Sequence, residues 1–168
     1  MAVEKCYQCG KCTAGCPMAA YMDLSPNQVM RLCQIGDAAA TETLLKSSTI
    51  WLCASCLTCT QRCPRELDPA AVMDVLRERS HREGKASPVV AKILAFHKAF
   101  LATVRRSGRM HEFDLVRRYK LTSFDLFSDM ALAPAMMLRG KLHLTGGRIR
   151  GHKEVERIFD ACGKDGPK

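Results

Sequence analysis

The stretch Cys6-Tyr-Gln-Cys9-Gly-Lys-Cys12-Thr-Ala-Gly-Cys16-Pro17 returns as Cys53-Ala-Ser-Cys56-Leu-Thr-Cys59-Thr-Gln-Arg-Cys63-Pro64. Both strings have the spacing that wraps a cubane [4Fe–4S] cluster. Three cysteines at steps of three sit on one tight loop and cover three iron corners, each of which takes a soft thiolate. The fourth ligand approaches from elsewhere, and in two-cluster ferredoxins it comes from the other string. The expected ligand sets are therefore Cys6, Cys9, Cys12 and Cys63 for one cluster, and Cys53, Cys56, Cys59 and Cys16 for the second. Two [4Fe–4S] clusters predict a chain that moves electrons and holds no catalytic residue of its own.

The residues between the cysteines fit that chemistry. Pro17 and Pro64 have fixed φ and no N–H, so they turn the chain away directly after the fourth cysteine. Gly10 and Gly15 are expected to let the first loop approach the inorganic sulfides. The second loop offers the hydroxyls of Ser55, Thr58 and Thr60, which can donate to sulfur and tune its potential. Lys11 and Arg62 place a cation inside each motif, where positive charge favours the more negative, reduced state. Solvated loop polarity is the plainer role for all five polar side chains.

Other uses of the cysteines fit poorly. A structural zinc site closes at four ligands and pairs two separate cysteine pairs, whereas each string here has four of its own. A disulfide framework belongs to an exported chain. Met1-Ala-Val-Glu-Lys5 leads straight into Cys6 without an apolar signal region, so a reducing cytoplasm is expected. No apolar run reaches the 18 or more residues of a membrane span; Leu126–Leu138 is interrupted by Ser128, Asp129 and Pro134.

Helix punctuation dominates the rest, and strand alternation is scarce. Ser25-Pro26 reads as an N-cap followed by first-turn proline, with Gly36 closing that helix. Asp37 caps a short helix running to Lys46. Asp68-Pro69 opens another to about His81, ending at Gly84, and Ser87-Pro88 a further one to about Arg106, ending at Gly108. Two helices are expected between His111 and Arg139, broken at Pro134, and a last between His152 and Cys162, ending at Gly163. The fold class is all-α, with the clusters held in loops. The expected division is an α-helical dicluster domain over 1–84 and a basic helical extension over 85–168.

In the Ser87–Arg106 helix the stripe Val90, Ile93, Leu94, His97, Leu101 and Val104, broadened by Phe96 and Phe100, is expected to pack into the core. Cys33 and Cys162 lie outside the strings on apolar helical faces and are expected to be packing residues. The five histidines, at 81, 97, 111, 143 and 152, have no metal-ligand spacing.

Charge divides the chain. Residues 1–80 carry eight Lys/Arg and eight Asp/Glu, so the whole formal +9 falls on residues 81–168. Eight thiolates and two oxidised cores would take the first half to about −4. Such bipolarity orients docking on a partner. The basic residues Arg105, Arg106, Arg109, Arg117, Arg118 and Lys120 come with one Trp and three Tyr in the whole chain and no recognised binding motif. No nucleic-acid partner is expected on that basis.

The strings, with Trp51-Leu52 leading into the second after a helical spacer, resemble the C subunit of heterodisulfide reductase. The resemblance is strongest over residues 1–80. The later stretches Arg105–Glu112, Arg139-Gly-Lys-Leu142 and Arg148–Val155 are similar to the helical extensions of such subunits, with less specific motifs. It implies an α-helical ferredoxin domain with two [4Fe–4S] clusters, ligated at all eight string cysteines. It further implies a cytoplasmic relay from a flavin- and cluster-bearing A subunit to a catalytic, cysteine-rich B subunit. No adjacent cysteine pair and no glycine-rich dinucleotide fingerprint occurs in this chain, so the resemblance puts disulfide chemistry and flavin on those partners. Three alternatives stand beside this expectation. They are the iron–sulfur subunit of another soluble dehydrogenase complex, a freely diffusing dicluster ferredoxin, and a regulatory or nucleic-acid-binding iron–sulfur protein.

Overall fold

Helices are set by their caps throughout the computed structural model, which describes residues 3–123, 138–140 and 147–164. Every regular element among the described residues is helical, as the sequence leads one to expect. The chain divides into two compact units, 1–90 and 91–168.

In the first unit, α1 (Lys11–Ala14) and α5 (Thr58–Gln61) are single turns inside the cysteine strings. Between and after them come α2 (Pro26–Ile35), α3 (Ala38–Lys46), α4 (Thr49–Leu52) and α6 (Pro69–Arg82). Ser25 starts α2 through a capping box, its N–H donating to Gln28 Oε1 at 2.8 Å. Gly36 ends that helix in the left-handed conformation, φ 67°. Asp37 caps α3 by accepting the Ala40 N–H at 2.6 Å, and Asp68 caps α6 by accepting that of Ala71 at 3.0 Å.

The core of this unit is Val29 and Met30 from α2, Leu44 and Leu45 from α3, Ile50 and Trp51 from α4, and Ala70, Val72, Met73 and Leu76 from α6. Burial of each of the large side chains is worth roughly 1.5–3 kcal/mol. The buried Ser80 hydroxyl donates to Leu45 O at 2.6 Å and ties α6 to the end of α3.

The helix after each string repeats as the strings do. Pro26-Asn-Gln-Val-Met-Arg-Leu-Cys-Gln34 aligns with Pro69-Ala-Ala-Val-Met-Asp-Val-Leu-Arg77. Val29 and Val72, Met30 and Met73 are buried at matching positions.

The second unit packs α8 (Glu112–Ser123) and α9 (His152–Lys164) on α7 (Ala91–Ser107). Of the expected stripe Val90 is buried, just ahead of α7, and Ile93, Leu94 and Val104 are half-buried, but the rest of the α7 face differs. The fully covered residues are Ala99 and Thr103, while Leu101 is 50% exposed and Phe96, His97 and Phe100 also stand exposed. Small side chains let helices approach closely, so the seam runs along them rather than along the bulkiest stripe. Phe96 still makes an edge contact with Tyr119, ring centroids 5.9 Å apart. Cys33 is half-buried, but Cys162 is exposed together with Ile158 beside it, so Cys162 is not a packing residue. The α9 helix also continues through Gly163 instead of ending there. The expected break at Pro134 and the Leu126–Leu138 run lie outside the described residues, apart from Leu138. Among the described residues no helix is long and apolar enough to cross a membrane.

Candidate cluster sites

Each string bends by placing residues in the left-handed region at matching positions. Gln8 has φ 61° and Ser55 49°; Gly10 has φ 75° and Leu57 60°. The loop therefore curls its three cysteines toward one side, at a strain that only the glycine escapes. The α1 and α5 turns then pack against each other, and the Arg62 side chain lies across Gly15, its equivalent in the other string. A Cβ at Gly15 would stand 2.7 Å from Arg62 Cδ. Gly15 thus makes room for the other string. Gly10 does line the space between its cysteines.

Two cavities result. One, of about 330 Å³ counting its open mouth, is lined by Cys6, Cys9, Cys12 and Cys63, with Gln8, Lys11, Asn27 and Met30 among the other residues. The other, of about 400 Å³ on the same basis, is lined by Cys16, Cys53, Cys56 and Cys59, with Met18, Met22, Ala70 and Met73. Each holds three cysteines of one string and the fourth of the other. The thiols stand around spaces, as a cube with iron at separate corners requires. Four soft donors around a walled cavity fit a [4Fe–4S] cluster.

Local interactions hold the rings open. Gln8 Nε2 donates to Cys6 Sγ at 3.4 Å, and the Leu67 N–H to Cys63 Sγ at 3.4 Å. In the other ring Cys56 Sγ lies 3.4 Å from Thr58 Oγ1. That contact and the Thr58 N–H lower the Cys56 pKa, while burial pushes the Cys12 and Cys59 thiols up. Thr60, whose side chain and N–H act to lower the Cys59 pKa, also donates to Asp68 at 2.7 Å and so fastens α5 to the start of α6. Cys9 and Cys56, one in each ring, are the exposed cysteines of the strings.

Three positioning residues escaped the sequence reading. Gln34 donates to the carbonyls of Cys6 at 2.7 Å and Val3 at 3.1 Å. Arg77 donates to those of Ile50 at 2.9 Å and Cys53 at 3.2 Å. They occupy the same place in α2 and α6, eight residues after the proline, and each holds the first cysteine of a string. The repeated Pro-x-x-Val-Met was the available signal. The third is Asp23. Its Oδ1 accepts from Ser47 Oγ at 2.7 Å, Thr49 N at 2.9 Å and Thr49 Oγ1 at 2.6 Å, and its Oδ2 from Ser48 N at 3.0 Å. It caps α4 from a distant part of the chain, and nothing local in the sequence marks it.

Such a fold and such sites define a helical two-cluster [4Fe–4S] protein. Residues 2–67 match the family of 4Fe-4S dicluster domains. The chain is similar to the C subunit of the ferredoxin:CoB-CoM heterodisulfide reductase of Methanosarcina acetivorans, 38% identical over 84 residues, which are 50% of this chain and 32% of that protein. It is likewise similar to the iron-sulfur C subunit of the CoB–CoM heterodisulfide reductase of Methanopyrus kandleri, 33% identical over 94 residues, covering 54% and 47%. A third relative is the C subunit of the H(2):CoB-CoM heterodisulfide,ferredoxin reductase of Methanothermobacter marburgensis, 28% identical over 106 residues, covering 63% and 52%. The matched part thus spans between a third and about half the length of these relatives. The resemblance read from the cysteine strings holds, and with it the two [4Fe–4S] clusters.

Proposed function

We propose that the chain is the electron-relay subunit of a heterodisulfide reductase-like complex. It takes electrons from a flavin- and iron–sulfur-bearing A subunit and passes them to a cysteine-rich catalytic B subunit. The clusters supply one-electron storage at low potential. In this reading Cys6, Cys9, Cys12 and Cys63 ligate one cluster, and Cys53, Cys56, Cys59 and Cys16 the other. The observation that carries it is the pair of cavities, each lined by a crossed set of four thiols. Shared ligation keeps the two centres close, because each string is a wall of both sites. Cys9 and Cys56 leave each ring one exposed edge, as entry and exit of electrons require. The names of the relatives, an iron-sulfur C subunit among them, support the assignment to a complex.

Alanine substitutions at single cysteines, read by electron paramagnetic resonance after anaerobic loading, test the ligand sets. Under crossed ligation Cys16→Ala leaves the same residual spectrum as Cys53→Ala, and Cys63→Ala the same as Cys6→Ala. Pairing of Cys16→Ala with Cys6→Ala would overturn it. Anaerobic pull-down with the chain as bait tests the relay role: A-like and B-like subunits are expected, and a monomer that never retains them favours a free ferredoxin.

A further inference from the structure

The two rings are built from a repeated segment, yet different residue types line them at matching positions. Asn27 lines one cavity, and its counterpart Ala70 the other. Gln8 reaches Cys6, whereas Ser55 at the matching place has no contact with sulfur among the described hydrogen bonds. Lys11 lines the first cavity; the second is lined, besides its cysteines, by Met18, Met22, Met73, Leu57 and small or proline residues, with no charged side chain.

The Gln8 amide is held in one orientation. Thr13 Oγ1 donates to Asn27 Oδ1 at 2.6 Å, so the Asn27 carboxamide turns its nitrogen toward Gln8 Oε1, 3.5 Å away. With its oxygen so engaged, Gln8 presents its N–H to Cys6 Sγ. The Leu67 N–H gives the same ring a second donor, at Cys63. The other ring has the Thr58 hydroxyl and N–H at Cys56, but no side-chain amide and no cation among the residues that line it. Reduction adds negative charge that spreads onto sulfur, so N–H donors and nearby cations favour it, and an apolar wall opposes it.

We infer that the ring of Cys6, Cys9, Cys12 and Cys63 holds the higher-potential cluster of the pair, and that Gln8 is a positioning residue that sets this order. The inference rests on the crossed ligation proposed above. A single electron entering the chain settles in this ring, and the ring of Cys53, Cys56, Cys59 and Cys16 fills second.

The test is stepwise dithionite reduction of the full-length chain, loaded anaerobically and followed by electron paramagnetic resonance. Wild type should show two one-electron waves. Gln8→Met, which keeps length and removes the donor, should weaken the upper reduction equilibrium about tenfold, about 59 mV for one electron. It should leave the lower wave in place. Gln8→Glu, which adds negative charge, should move the upper wave further down. A shift of the lower wave, or of neither, overturns the inference. If Gln8→Met loads poorly, Met18→Gln carries the test: an amide in the apolar ring should raise the lower wave, and an unmoved lower wave overturns the inference. The ligand reading fails separately. Cys16→Ala should spare the Gln8-sensitive wave; if it abolishes that wave, crossed ligation is wrong.

Discussion

Asp23 shows how one side chain fixes a site that it does not touch. One edge of its carboxylate collects the hydroxyls of Ser47 and Thr49 and the N–H groups of Ser48 and Thr49, just ahead of Cys53. Burial works to raise its pKa, but those four donors outweigh it and hold the carboxyl well below the usual range. A lowered folded-state pKa stabilises the fold fully above the unfolded carboxylate value of about 3.9 and loses that stabilisation as pH falls below it. Asp23→Asn should therefore cost about 1–2 kcal/mol near pH 7, after discounting for the exposure of the residue. Urea midpoints of the loaded chain check this. The gap between wild type and variant should be constant from pH 8 to 5 and narrow in more acid solution. A gap that widens toward acid would contradict the sign.

Among the elements, α2 and α6 act as matched clamps. Gln34 holds the Cys6 carbonyl and Arg77 the Cys53 carbonyl from equivalent places on repeated helices. Arg77→Met should speed hydrogen exchange around residues 50–56 and leave residues 6–12 little changed. Gln34→Leu should do the converse. Each loss is worth about 1–2 kcal/mol of local opening, read by mass spectrometry on peptides from the two strings. Equal loosening of both strings in either variant would mean that the clamps are not local.

The contrast between these residues and the strings explains what was legible beforehand. Ser25, Asp37 and Asp68 announce helices because a cap acts within its own turn, and the cysteines announce their chemistry through spacing alone. Asp23 caps a helix 26 residues away in sequence. Ala99 and Thr103 form the α7 seam although bulkier residues neighbour them. Those choices are made by tertiary packing, which leaves no periodic trace in the sequence.

At the scale of the whole molecule the two units carry different burdens. Residues 1–90 contain all eight string cysteines and a core of their own, and hold ten Lys/Arg against nine Asp/Glu, a formal +1. The remaining residues carry most of the +9, but part of it is spent inside their own unit. Asp114 receives Arg118 at 2.9 Å, Arg117 at 3.2 Å and Arg106 at 3.8 Å, and Arg105 pairs with Asp160 at 2.5 Å. Arg117 and Arg118 pair within α8 itself while Arg106 reaches the same Asp114 from α7, and nucleic-acid binding through them would sacrifice those pairs. A chain cut after Val90 should still bind about eight iron and eight sulfide, as two cubanes require. It should lose retention of the proposed A-like and B-like partners, which the full chain should keep at low salt and release as ionic strength rises. Iron and sulfide assays, with anaerobic pull-down at two salt concentrations, read both halves of the prediction. A truncated chain that loads fully and still retains its partners would place docking on the first unit and leave the basic unit without that role. Failure to load would show that the first unit depends on the second for its fold.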